Sequence, residues 1–135
     1  MKKITKLLLL LALIGIGITG YLAYIHYSGK DAFCPLQPQL NCNAVLNSGY
    51  STFVGIPVSV FGVVVYLLMI IGLIVHERKE SRINDRMLLS LPAVGVVAAG
   101  FYTALMIFRL GVICIWCELN HLNMLLIFVL MARHV

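Results

Sequence analysis

Long apolar runs separated by short polar breaks dominate this chain. Four runs approach twenty residues, about Leu7–Ile25, Ile56–Val75, Met87–Phe108 and Val112–Met131. A hydrocarbon core of about 30 Å is crossed by roughly 20 apolar residues in a helix, so each run predicts a transmembrane helix. The polar breaks are unequal. A loop of about Tyr27–Gly55 follows the first run, a charged link from His76 to Arg86 follows the second, and a short turn near Arg109–Gly111 separates the last two. That turn is too short to let its flanking helices part, so they are expected to be antiparallel neighbours. The pattern predicts an all-α integral membrane protein, a four-transmembrane-helix bundle forming one domain over residues 1–135.

Composition agrees. Hydrophobic residues make up 61% and charged residues 11% of the chain, with mean hydropathy +1.01, outside the range of ordinary soluble domains. Lys2, Lys3 and Lys6 before a leucine run also describe a signal peptide. The run continues through Gly15, Gly17 and Gly20 to Ile25 without a small-x-small cleavage site, so a retained helix is expected. Of the ten Lys and Arg, only Lys30 and Arg109 fall outside the N-terminus, the His76–Arg86 link and the C-terminus. By the positive-inside bias both termini are expected to be cytoplasmic in a plasma (cell) membrane, with the 27–55 loop on the outer side. The net charge of +5 is then a topology signal. No basic patch interleaved with aromatics points to nucleic acid.

Local signals refine the helices and the loop. Gly95, Ala99 and Thr103 recur every four residues on the third helix, a spacing that permits close helix approach, and packing alone accounts for it. Pro92 either kinks that helix or marks its first turn. In the outer loop, Cys34-Pro35-Leu36-Gln37-Pro38 is expected to be extended or turning. A short amphipathic helix then runs from an Asn41 cap to a Gly49 stop, with Cys42, Val45 and Leu46 on one face. Such a helix would lie on the membrane surface.

The chain has four cysteines in two pairs, Cys34 and Cys42 in the loop and Cys114 and Cys117 as a C-x-x-C opening the fourth helix. All four face the side where disulfides persist. Cys114, Cys117, Glu118 and His121 fall at i, i+3, i+4 and i+7, a single helical stripe. A helix N-terminus favours the thiolate, the reactive form of cysteine. A thiolate at the lipid boundary calls for a lipid-soluble acceptor, and a quinone is the natural one, with Glu118 or His121 to supply protons. Glu118 is near enough to the helix end to be simply solvated. Two other readings of the cysteines remain, a structural zinc and a static Cys34–Cys42 disulfide. The C-x7-C spacing with its prolines suits zinc poorly, and a static disulfide leaves the C-x-x-C unexplained. No metal is expected.

Cys34-x7-Cys42, Asn43-Ala44-Val45-Leu46-Asn47-Ser48, Gly55-Ile56-Pro57-Val58-Ser59-Val60-Phe61-Gly62 and Cys114-Ile115-Trp116-Cys117 together resemble the vitamin K epoxide reductase family in its prokaryotic branch. The resemblance implies a four-helix bundle holding a quinone of ubiquinone or menaquinone type beside the C-x-x-C. It implies that Cys117 faces the quinone, with Ser59, Phe61 and His121 as further contacts, and that Cys114 exchanges with the loop pair through Cys42. It implies that Cys34 takes electrons from a secreted thioredoxin-like protein, supporting disulfide formation in exported proteins. Ser48 matches the family serine near the active site, though capping or packing also explains it. Val58 stands where vertebrate members carry an asparagine to bind vitamin K, and His121 where they carry a tyrosine. Epoxide reduction is therefore not expected, and His121 becomes the candidate to hydrogen-bond the quinone oxygen. Some members carry a fused thioredoxin-like domain; with the sequence ending at Val135, a separate partner is expected.

The rival readings are the same relay run backward from quinol to an outer partner, and a non-catalytic tetraspan with structural disulfides. Potentials, which residues do not reveal, set the direction. A small transporter is disfavoured by the lack of an inverted repeat.

Overall fold

The computed structural model describes residues 3–28, 52–53, 55–79, 82–111 and 115–134. Among these, four helices are long and apolar enough to cross a membrane. Helix α1 spans Lys3–Ser28, a two-residue hairpin pairs β1 (Thr52–Phe53) with β2 (Ile56–Pro57), and α2 spans Val58–Arg78. Helix α3 spans Arg82–Leu105 and runs into a π-helical turn, Met106–Leu110, before α4, Ile115–His134. The amphipathic helix expected after Asn41 lies outside the described residues.

The helices form a closed ring in which α1 packs on α2 and α4, and α3 on α2 and α4. Every neighbouring pair is antiparallel. Thr5, near the start of α1, hydrogen-bonds Glu77 near the end of α2, and the rings of Tyr21 and Trp116 meet where α1 ends and α4 begins. A chain with both ends on one face and short links has this up-down-up-down course as its simplest solution.

Burial follows one narrow stripe per helix. On α2 the buried residues are Tyr66, Met69 and Leu73, at i, i+3 and i+7, and they meet Leu8 and Ala12 of α1, Leu88 of α3, and Met124, Ile127 and Met131 of α4. Outward, Leu13, Ile71, Val97, Phe101 and Phe108 are exposed. In water such a surface would aggregate; in lipid it is the solvated face. Because lipid tails are as apolar as leucine, hydrophobic burial gives little drive between the helices, and close packing and hydrogen bonds must hold them.

Small residues make that packing possible. At Gly15 any Cβ would fall inside the ring of Tyr66, which is 0% exposed, and at Gly95 it would lie 2.8 Å from Met124. Gly95 is thus a point of close contact between α3 and α4, as its place in the small-residue repeat foretold.

Element ends differ from the hydropathy pattern for identifiable reasons. The second apolar run began at Ile56, but Ile56 and Pro57 pair with Phe53 and Thr52 across a turn where Gly55 takes φ 77°, and α2 starts at Val58. Pro57 lacks an N–H and has φ −58°, which suits the residue that ends a strand and opens a helix. The third run began at Met87, whereas α3 starts at Arg82. Its polar first turns are anchored to α2, with Asn84 Nδ2 donating to the Gly72 carbonyl at 3.2 Å and His76 Nδ1 bonded to Asp85 Oδ1 at 2.7 Å. Pro92 is buried in the interior of α3, well past its first turn. Gly111, with φ 68°, terminates the π turn in the left-handed region that a side chain resists.

Gly15 and Gly17 give a clean comparison, since nothing lies within 4 Å of a Cβ at Gly17. Gly15→Ala is expected to destabilise the bundle by about 1–3 kcal/mol through overpacking. Gly17→Ala should be neutral or stabilising by up to ~1 kcal/mol from helix propensity. Thermal unfolding in detergent, followed by circular dichroism, separates the two.

Candidate functional site

The N-terminal end of α4 abuts a partly open cavity of about 270 Å³ lined by residues of all four helices. Its walls are chiefly apolar, with Leu22 from α1, Val58 and Val65 from α2, and Val94 and Leu105 from α3. The small side chains Gly95, Ala98 and Ala99 on α3 leave the space open. Four residues of α4 line it at i, i+3, i+4 and i+7: Cys117, Asn120, His121 and Met124.

Of the residues singled out in the sequence, Cys117, His121, Ser59 and Phe61 all line this cavity. Val58 lines it too. Glu118 does not, although Cys117 and His121 on the same helical stripe do. Cys34, Cys42, Ser48 and Cys114 lie outside the described residues.

Glu118 instead joins a polar cluster with α3. The Thr103 hydroxyl is 3.0 Å from Glu118 Oε1 and 3.0 Å from His121 Nδ1, and His121 Nδ1 is 3.5 Å from Glu118 Oε1. A hydroxyl carries one proton. Donated to the Glu118 carboxylate, it leaves the Thr103 oxygen to accept from His121, which puts a proton on Nδ1 and leaves Nε2 as the uncommitted ring nitrogen. Thr103 therefore does more than pack, although its place in the small-residue repeat called for nothing further.

A second polar cluster lies next to the cavity, deeper in the bundle. Asn123 Nδ2 donates to the Leu11 carbonyl of α1 at 3.0 Å and to the Tyr66 hydroxyl of α2 at 3.2 Å, and Tyr66 donates to Asn120 Oδ1 at 2.7 Å. Three helices are joined by side chains that the sequence reading passed over. The signal was present: Asn120 and Asn123 are polar residues inside a membrane span, and Asn120 is one helical turn from Cys117. No group of His, Cys, Asp and Glu suited to a metal ion occurs among the described residues.

Ligand pockets commonly have volumes of roughly 300–1,000 Å³; at about 270 Å³, with a mostly apolar lining, this cavity is just below that range and of a size for a small apolar ligand or part of a larger one.

Comparison with known proteins agrees with the geometry. Residues 6–132 match the Vitamin K epoxide reductase family. The Thiol-disulfide oxidoreductase LTO1 of Arabidopsis thaliana is 46% identical over 48 residues, which is 36% of this chain and 12% of that protein. The match thus covers a small part of the relative's length. With the family match running from the first turn of α1 to the last turn of α4, this multi-pass membrane protein belongs to the vitamin K epoxide reductase family.

Proposed function

We propose that this protein is a membrane thiol oxidase that passes electrons from a secreted thioredoxin-like protein, through Cys34, Cys42, Cys114 and Cys117, to a quinone, and so supports disulfide formation in exported proteins. The observation that carries the reading is the cavity: Cys117, at the first turn of α4, lines the same apolar chamber as His121 and Asn120. Family membership and the oxidoreductase relative support the thiol–disulfide chemistry at the coarse level.

In this mechanism the reduced partner exchanges with the Cys34–Cys42 disulfide, and the resulting Cys42 thiolate attacks the Cys114–Cys117 disulfide. Each exchange breaks one S–S bond and forms another, so electrons move in pairs without free radicals. A bound quinone supplies a lipid-soluble acceptor of two electrons and two protons. Cys117, which lines the chamber, is the thiol that hands the electron pair on. His121, its Nδ1 held by Thr103, presents Nε2 to take the thiol proton, and Glu118 balances the charge that results. Ser59 and Phe61 border the chamber from α2, and Ser48 is a further candidate for the active site.

The reading places both termini in the cytoplasm and the cysteines on the outer side. Lys3, Lys6, Arg78, Lys79, Arg82 and Arg86 gather at the end of the bundle marked by the Thr5–Glu77 bond, opposite the cavity, which favours this orientation.

Purified protein in detergent, given a reduced thioredoxin-like donor and a soluble quinone, is expected to reduce the quinone, followed optically. Cys117→Ser should drop turnover to the uncatalysed background with helix content unchanged; turnover that survives the substitution would sink the relay and favour a structural tetraspan. Thr103→Val removes both hydrogen bonds at constant shape. It should cost about 1 kcal/mol of stability and lower kcat by about tenfold through His121, with Thr103→Ser restoring both, measured by thermal unfolding and steady-state rates.

A further inference from the structure

The hydrogen bonds beside the cavity form a chain whose polarity is determined at every link. The chain starts at the Leu11 carbonyl, which can only accept, so the Asn123 atom 3.0 Å away must be the amide nitrogen. That same nitrogen donates to the Tyr66 oxygen, and Tyr66 has one proton left to give. Its partner 2.7 Å away must accept, so Asn120 turns its oxygen toward Tyr66. Tyr66 is 0% exposed and does not line the cavity, whereas Asn120 does. The carbonyl end of the Asn120 amide is thereby committed to the bundle interior. Its NH₂ end has two donors and no hydrogen bond among the described residues, and is the end left to serve the cavity that Asn120 lines.

Gly15 holds the first part of this arrangement in place. The Tyr66 ring occupies the space where a Cβ at Gly15 would stand, so the tyrosine can be fully buried against α1 with its hydroxyl between Asn123 and Asn120. The wall contributed by α2 is Val58, Phe61, Gly62 and Val65, with the Ser59 hydroxyl as its side-chain donor.

We propose that the Asn120 side-chain nitrogen donates a hydrogen bond to a carbonyl oxygen of the quinone in this cavity, with Tyr66 as the positioning residue that aims it. The proposal rests on the quinone reading above and assigns a donor within it. The amide on α4 donates whatever the state of His121, whose Nε2 can donate only after it has taken the thiol proton, so the acceptor's oxygen is recognised from the helix that also carries Cys117. Donors aimed at that oxygen also stabilise the charge it gains as electrons arrive.

The test uses duroquinone with isotope-labelled carbonyls, bound to the purified full chain in detergent, and reads its C=O stretch by infrared spectroscopy together with its dissociation constant. In the native protein the stretch is expected below its value in hydrocarbon. Asn120→Leu should raise it and weaken binding about tenfold, the scale of one lost hydrogen bond. Tyr66→Phe keeps the amide but frees it to rotate; it should weaken binding by a smaller factor, and not at all in the Asn120→Leu background. A stretch and affinity indifferent to both substitutions, in variants that remain folded, would overturn the assignment while leaving the quinone reading intact. Should Asn120→Leu not fold, Tyr66→Phe decides alone by the same two readouts. Failure of the native chain to bind duroquinone, with no turnover of any quinone, would overturn the quinone reading and the assignment with it.

Discussion

Inside a bilayer there is no water to satisfy a polar side chain, and in this bundle that constraint falls on α4. Its first half carries Glu118, Asn120, His121 and Asn123, and each has found a partner on another helix. Asn123 reaches α1 and α2, Asn120 reaches α2, and Glu118 and His121 share Thr103 of α3. Each such bond contributes only about 1 kcal/mol in a membrane, less than the packing of the apolar stripes taken together. Their weight lies in direction: methyl groups slide past one another, whereas a donor and an acceptor must meet, so these bonds set the rotation of α4 against its neighbours α1 and α3 and against α2 across the ring. The cavity is what remains between helices so pinned, held open by Gly95, Ala98 and Ala99.

The same geometry joins two phases. On the proposed reading, a thiol relay has to work in water at one end, where a protein donor docks, and in lipid at the other, where an acceptor diffuses. Cys117 lies in the first turn of α4, and that helix end opens onto the apolar chamber.

The four spans and their antiparallel order were legible in the sequence because lipid imposes a blunt requirement, about twenty apolar residues at a time, that composition alone displays. The family was legible from motifs scattered over nearly the whole chain. The element ends were not. Hydropathy counts Ile56 as membrane helix, but a proline at 57 and a left-handed glycine at 55 turn those residues into a hairpin; conversely, it excludes Asn84 and Asp85, which become helical because they bond to α2. At the site, His121 stood out as an ionisable residue in a span, and Ser59 and Phe61 through the family motif. Asn120, Asn123 and Thr103 did not, because each is unremarkable until its partner on another helix is known, and Tyr66 reads as one more apolar position until its hydroxyl is seen between two amides.

Gly15 and Asn120 never touch, yet the fit of one governs the chemistry of the other through Tyr66. For the history of this sequence the consequence is epistasis. A side chain at position 15 becomes acceptable only after Tyr66 has been replaced by something smaller, and once Tyr66 is gone the amide at 120 has nothing to orient it and is free to drift. Substitutions at these three positions, on three different helices, are therefore expected to be inherited as a block, with the order of their acquisition constrained: the glycine that makes room first, then the ring, then the amide that it aims.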